Sequence, residues 1–212
     1  MKQIRNTTRR TLLLAAATAI GAASFGLSSS ASARTLEEIM ASKKIVIGVN
    51  PTLPPLGIFN DKNEIDGFDV DVAKKLGETL GLKVEIVQVG SPDRIPFVSS
   101  GKIDAVLGAM TITPERQAKY DFSDPYIASK VALIVRSDND SIHTFADIKG
   151  KKTAHALSSN YAKLAQSYGA ELVGAEGFSQ EIDLIASRRV DATINDSLSF
   201  LDFKKHKPDA PL

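Results

Sequence analysis

The sequence contains no cysteine. Disulfides, iron–sulfur clusters, thiolate zinc sites and cysteine nucleophiles are therefore excluded. Histidine is nearly as scarce. His143, His155 and His206 are scattered along the chain, so a histidine metal cage is not expected. No long basic run occurs and the formal net charge is +1, which gives no sign of nucleic acid as a partner. Gly-x-Gly-x-x-Gly, Gly-x-x-x-x-Gly-Lys and Gly-x-Ser-x-Gly are all missing, so nothing supports dinucleotide, phosphate-loop or serine-nucleophile chemistry. Asp61 to Gly67 resembles a calcium loop only superficially. Ile65 holds its fifth position and the glycine arrives one place late, so a solvated turn is expected. No metal or cofactor is implied. What is present is ordinary globular composition, 43% hydrophobic and 24% charged, which excludes a disordered polymer, a collagen-like chain and a polytopic membrane protein.

The N-terminus reads as an address. Lys2, Arg5, Arg9 and Arg10 form a basic start with no acid before Arg34, followed by the apolar stretch Leu12 to Ala23 and the small-x-small run Ala31-Ser32-Ala33. This is the layout of a secretory signal peptide over residues 1–33, and Thr8-Arg9-Arg10-Thr11-Leu12 also looks like a twin-arginine signal. The apolar stretch is short against the roughly 20 residues of a membrane span. Removing residues 1–33 leaves 22 Lys+Arg against 25 Asp+Glu, a mature chain near −3.

Beyond Arg34 the pattern alternates short apolar runs with amphipathic stretches. Strands are expected at 44–49, 84–89, 103–109, 131–135, 152–155, 172–173 and 192–194. Helices are expected from Phe68 to Leu80 with the stripe Phe68, Val72, Leu76 and Leu80, from Ser91 to Ser100, after Thr113-Pro114, near 160–168 and near 179–188. A capping box stands at Thr144 to Asp147. Strand–helix alternation predicts an α/β fold with largely parallel sheets. In such folds ligands sit at the carboxyl ends of strands, which directs attention to the loops after Val49, Leu107 and Ile194.

Two charged residues stand at such ends. Arg116 follows Thr111 by five residues at an announced helix start, where its planar fork can receive a carboxylate, or can pair with Glu115 or Asp121 on the surface. Asp196 follows the run Ala192-Thr193-Ile194, where it can meet an ammonium group or cap a helix. One cation and one acid on separate strand ends match a zwitterion.

Gly67-Phe68-Asp69-Val70-Asp71-Val72-Ala73 resembles the signature of bacterial family 3 solute-binding proteins, the periplasmic amino-acid receptors of ABC importers. The resemblance continues through Arg94-Ile95-Pro96, Ser100 to Asp104, Met110 to Arg116, Asp121 to Tyr126, Asp147 to Lys151 and Val190 to Ala192 before Asn195-Asp196. It implies an α/β, two-lobed periplasmic-binding-protein (type II) fold that closes on a free amino acid, with lobe 1 at 34–127 and lobe 2 at 128–212. It also implies that Arg116 clamps the α-carboxylate with Thr111 and the backbone of Ala109. Asp196 and the carbonyl of Gly108 would hold the α-ammonium. Ser158-Ser159-Asn160 occupies the place of a Gly-Thr-Thr/Ser-type motif, a departure that leaves Ser159 and Asn160 as candidate carboxylate donors. The aromatics of the first Pro-rich loop are replaced by Leu53 and Leu56, so an aromatic wall is not expected there. Ser91 and Arg94 match a Ser-x-x-Arg that reads side-chain carboxylates in acidic-amino-acid members, or Arg94 merely lines the cleft.

The resemblance further implies a monomeric, periplasmic component of an ABC importer for a polar amino acid, an acidic one if Arg94 reads a side-chain carboxylate, working with membrane permease subunits and without nucleic acid or catalysis. Relative to the family pattern, the chain stops at Leu212 before the segment that returns to lobe 1. This raises the alternative of a non-functional truncated copy. The other alternative is a periplasmic cyclohexadienyl (prephenate/arogenate) dehydratase-like enzyme. It needs a catalytic acid in the cleft, and none stands out, since Glu176 and Glu181 can equally be surface residues.

Overall fold

The computed structural model describes residues 33–212, so the export signal read at 1–33 lies outside the described residues except for its last position. Seven helices and nine strands follow. They are α1 (Leu36–Ser42), β1 (Lys44–Val49), β2 (Ile58–Phe59), β3 (Ile65–Asp66), α2 (Phe68–Leu80), β4 (Lys83–Gln88), α3 (Arg94–Ser99), β5 (Ala105–Leu107) and α4 (Pro114–Gln117). After an irregular stretch come β6 (Val131–Val135), a 3-10 turn (Phe145–Ile148), β7 (Lys152–Ala156), α5 (Asn160–Ser167), β8 (Glu171–Ala175), α6 (Phe178–Ala186), β9 (Ala192–Asp196) and α7 (Ser197–His206).

The strands build two principal sheets. The first has the order β4-β1-β5 and is parallel throughout, with Ile47 opposite Ile86 and Ala105. The second has the order β6-β9-β7-β8 and is parallel except that β6 runs antiparallel to β9. Each sheet has its own apolar packing. Ile45, Ile47 and Val49 alternate along β1 onto Ile39 of α1 and Val70 and Ala73 of α2. On the second sheet, Ile134 and Ala154 pack with Phe178, Ile182 and Ile185 of α6, while Ala192 and Ile194 join Ile148 and Ala165 in a separate cluster. At about 25 cal/mol per Å² of apolar area, such central positions dominate the stability of each layer.

Several local choices explain the elements. Thr35 caps α1 through a capping box with Glu38, a helix absent from the sequence reading. Arg34 pairs with Asp104, whose carboxylate also accepts the Val46 amide, tying the start of the described chain to β1 and β5. Helix α2 ends where Gly81 turns left-handed at φ 66°, a conformation that costs a Cβ-bearing residue energy. Its buried face is Asp69, Val70, Ala73 and Gly77, whereas Phe68 and Leu80 of the expected stripe are 42% and 37% exposed. The sheet accepts the small side of this helix because Gly77 lies against Val84 and the Leu82 carbonyl. The turn at 61–64 joins the short antiparallel pair β2–β3, held by Asn60, whose side chain accepts from the Lys62 and Glu64 amides. Strand β5 is shorter than the expected 103–109, and α3 begins at Arg94 because Ser91 to Asp93 form a turn.

Candidate functional site

A cleft is lined from both sheets. From the first come Thr52 and Leu53 after β1, Ser91 and Arg94 around the start of α3, Ala109 and Thr111 after β5, and Arg116 of α4. From the second come Ser159, Asn160 and Tyr161 at the start of α5, Phe178 and Glu181 of α6, and Asn195 of β9. The geometry follows from parallel strands, which deliver all their C-terminal loops to one side.

The first-sheet wall is cationic. Arg94 is 6% exposed; its Nη1 donates to the Gly108 carbonyl at 2.6 Å and its Nε to the Ser91 carbonyl at 3.3 Å. Burial, and then the nearby charge of Arg116, bring its pKa down to about 10. Arg116 is half-buried and donates Nη1 to the Thr111 carbonyl at 2.9 Å. Its helix is capped by Thr113, whose side chain accepts from the Arg116 amide. Ala109 between them sits at φ 51°, a left-handed conformation for a non-glycine residue, as does Ser158 at φ 66° on the opposite wall. Backbone held this way at a cleft re-aims amides and carbonyls at a stability cost of order 1–3 kcal/mol.

The second-sheet wall is acidic. Glu181 is 2% exposed. It accepts from the Ala156 amide at 3.0 Å, the Asn195 side chain at 2.7 Å and the Thr193 hydroxyl at 3.1 Å. Burial pushes its pKa up, with the neighbouring Asp196 adding to the rise and the hydrogen bonds opposing it. Asp196 is 3% exposed and lies one residue beyond the lining. Its carboxylate caps α7, accepting from the Ser199 amide at 2.9 Å and the Ser199 hydroxyl at 3.1 Å. Among the described residues neither carboxylate meets a cation within 4.0 Å, and neither Arg94 nor Arg116 meets a carboxylate. Tyr161 stands amid these charges. Burial, then Asp196 and Glu181, push its hydroxyl up to about 12, against the opposing effect of Arg94. The Asn160 Nδ2 is buried with no acceptor.

The two walls also touch directly. The Phe178 amide donates to the Thr52 carbonyl at 3.3 Å, and Leu53 packs into the apolar cluster around Phe178. A Cβ on Gly177 would lie 2.3 Å from Thr52 Oγ1 and 3.2 Å from its carbonyl oxygen, so the approach requires a glycine. At the rim, Lys163 of α5 pairs with Glu115 of α4 at 3.1 Å.

Eight of the ten residues singled out from the sequence line this one cleft: Leu53, Ser91, Arg94, Ala109, Thr111, Arg116, Ser159 and Asn160. Gly108 lies behind it, its carbonyl occupied by Arg94, and Asp196 lies beneath it as a helix cap. Glu115 is taken by Lys163, so Arg116 is left without the surface pairing considered for it. Leu56 is core, 4% exposed, with its carbonyl accepting the Asp69 amide. Aromatic lining is present after all and comes from the other sheet, in Tyr161 and Phe178. Glu181, considered as a surface residue, is buried; its place at i+3 from Phe178, beside Ile182 and ahead of Ile185, set it on the apolar face of α6.

Known proteins resemble this chain in sequence and in fold. Residues 45–210 match the model of the bacterial extracellular solute-binding proteins, family 3. The chain is 33% identical over 201 residues to a probable amino-acid ABC transporter-binding protein of Haemophilus influenzae, covering 95% of this chain and 78% of that one. It is 36% identical over 162 residues to the L-cystine-binding protein TcyA of Bacillus subtilis, covering 76% of this chain and 60% of that one. Among solved structures, an ancestral arginine-binding protein bound to arginine has 37% identity and a TM-score of 0.74, with 80% of this chain and 76% of that chain aligned. The ancestral amino acid-binding protein AncCDT-1, a precursor of cyclohexadienyl dehydratase, has 34% identity and a TM-score of 0.77, with 82% and 79% aligned.

Proposed function

From its membership of the bacterial extracellular solute-binding proteins, family 3, to which this chain belongs, we propose that it captures a free amino acid outside the cytoplasmic membrane for an ABC importer. The observation that carries this reading is the segregation of charge in one cleft: guanidiniums of Arg94 and Arg116 on one wall, carboxylates of Glu181 and Asp196 in and beneath the other. An α-amino acid presents the complementary pair of charges on one carbon.

Arg116 takes the α-carboxylate in this reading, helped by Thr111, the Ala109 backbone and the Ser159–Asn160 start of α5. Asp196 takes the α-ammonium. Charge pairs inside a water-excluding cleft are stronger than the same pairs in water, where 4 Å of separation leaves about 1 kcal/mol. Contacts that form only when both walls meet the ligand also hold the walls together, which is how a ligand selects a closed state. Export rests on the basic and then apolar N-terminal segment, by the general secretory or the twin-arginine route, and membrane permease subunits take the cargo from a monomeric receptor.

The test is calorimetric titration of the purified protein with the common amino acids. Arg116→Ala and Asp196→Ala are each expected to weaken binding at least about 100-fold, or 2.7 kcal/mol. Near-normal affinity in either variant removes that residue from the site. An enzymatic reading has one residue in its favour, the buried Glu181 with its raised pKa. Its hydrogen bonds to Ala156, Thr193 and Asn195 hold it in one fixed place in the lining, which suits a fixed binding group as well as a catalytic acid. We expect no turnover of prephenate, and measurable turnover would reverse the assignment.

A further inference from the structure

A single zwitterion leaves half the charge of this cleft unmatched. Its carboxylate uses Arg116 and its ammonium uses Asp196. Arg94 and Glu181 remain, both buried, both in the lining, and both without an ion-pair partner among the described residues. Leaving a buried charge uncompensated costs several kcal/mol, so the ligand that supplies both missing partners is favoured. A ligand with an acidic side chain would satisfy Arg94 and leave Glu181 unmatched. A ligand with a basic side chain would satisfy Glu181 and leave Arg94 unmatched. A neutral amide would satisfy neither.

The hydrogen-bonding capacity points the same way. Arg94 spends Nη1 and Nε on carbonyls, while its Nη2 has no acceptor among the described residues. Asn160 Nδ2 is a buried donor with no acceptor and lies in the same lining. On the other wall, Glu181 accepts from the Ala156 amide and the Asn195 side chain, while the Thr193 hydroxyl beside it also reaches the Ala154 carbonyl at 2.7 Å with its one proton, leaving room on the carboxylate for a further donor. Unused donors therefore accompany Arg94 and an unused acceptor site accompanies Glu181.

Resting on the reading of this protein as an amino-acid receptor, we propose that its ligand is a doubled amino acid, two α-amino-acid ends joined by a short linker, with Arg94 taking the second carboxylate and Glu181 the second ammonium. Arg94 and Glu181 are then the residues that set specificity. The preference for an acidic side chain that Arg94 alone implies becomes one half of a matched pair.

Calorimetry with five probes tests this: L-cystine and meso-2,6-diaminopimelate as doubled ligands, against L-glutamate, L-arginine and L-glutamine. At least one doubled probe is expected to bind tenfold or more tightly, about 1.4 kcal/mol, than each of the three single-ended probes. Glu181→Gln and Arg94→Gln are each expected to lose doubled-ligand affinity at least tenfold more than glutamine affinity. Both variants are first melted to establish that they fold, and either one suffices. Two results overturn the proposal. One is a single-ended probe that binds as tightly as both doubled ones. The other is an equal loss for all probes in the variants, the outcome if Arg94 and Glu181 merely pair with each other across the cleft. If none of the five binds, the amino-acid-receptor reading falls with it, a result distinct from the other two.

Discussion

His155 and Asp69 are residues whose ionisation the fold opposes in opposite senses. His155 is fully buried, and burial brings its pKa down to about 4 against the opposing effect of the Ile194 backbone. The folded chain therefore binds fewer protons at this residue than the unfolded chain, where histidine titrates near 6.5. Its stability contribution is complete above about pH 6.5 and is lost as pH falls toward 4, by roughly 3 kcal/mol. Asp69 is equally buried, with one oxygen accepting from the Tyr126 hydroxyl at 3.0 Å and the other unpartnered; burial pushes it up to about 6. Its contribution is complete below the unfolded pKa near 3.8 and is lost as pH rises through about 6. The two trends oppose one another between pH 4 and 6. Glu181, raised by burial, and carboxylates held low by their partners titrate over the same range, so urea unfolding of each variant is compared with the parent. Relative to the parent, the slope of stability against pH should shift downward in His155→Gln and upward in Asp69→Asn. Shifts of the same sign in both variants would contradict this assignment.

Asp196 also needs separating at this scale, because it caps α7 and is also the residue proposed to take the ammonium. Alanine removes cap and charge together, and the lost cap alone costs about 1 kcal/mol. Asparagine is as good a cap but carries no charge. Asp196→Asn is therefore expected to melt close to the parent while still losing most of the ligand affinity of the alanine variant. An Asp196→Asn protein that binds normally would reduce Asp196 to a cap.

Among elements, those with a strong local signature were legible. Gly81 ended α2, Thr113-Pro114 opened α4, and Val131–Val135 stood out as an apolar run between polar stretches. The buried face of α2 was not legible. The sheet chose the small residues Ala73 and Gly77 for close approach, a tertiary preference that overrides the larger apolar stripe. Helix α3 was read from Ser91-Pro92 as a capped start, yet the chain turns until Arg94, which points the guanidinium at the Gly108 carbonyl. The site itself was mostly legible because it gathers at strand ends. Tyr161 and Phe178 were missed, and Glu181 was named only as an acid that could equally lie on the surface, because they come from the starts of helices on the second sheet, where nothing in the local pattern distinguishes a lining residue from core.

At the scale of the whole molecule, binding and stability are one equilibrium. A ligand that engages only the folded cleft stabilises by RT ln(1 + [L]/Kd), about 2.7 kcal/mol at one hundred times Kd. Melting temperature should therefore climb with the logarithm of ligand concentration, and should not do so in Arg116→Ala. A parent protein whose melting point ignores every amino acid would contradict a ligand-gripping cleft. The rim pair Lys163–Glu115 is exposed on both sides and adds at most a fraction of a kcal/mol to holding the walls together, less as salt rises. The interior contact of Thr52, Leu53 and Phe178 is the more substantial tie, since it removes apolar surface from water.

That tie sits at a point where a Cβ on residue 177 would be only 2.5 Å from the Thr52 Cβ, well inside the roughly 3.5–4.5 Å that a disulfide spans. A Thr52→Cys, Gly177→Cys double variant can therefore oxidise only after the walls have parted slightly. The native chain offers no competing thiol. A Cβ at 177 itself pushes the walls apart, so the extent of cross-linking, readable on a gel, reports whether the cleft can settle at that wider spacing.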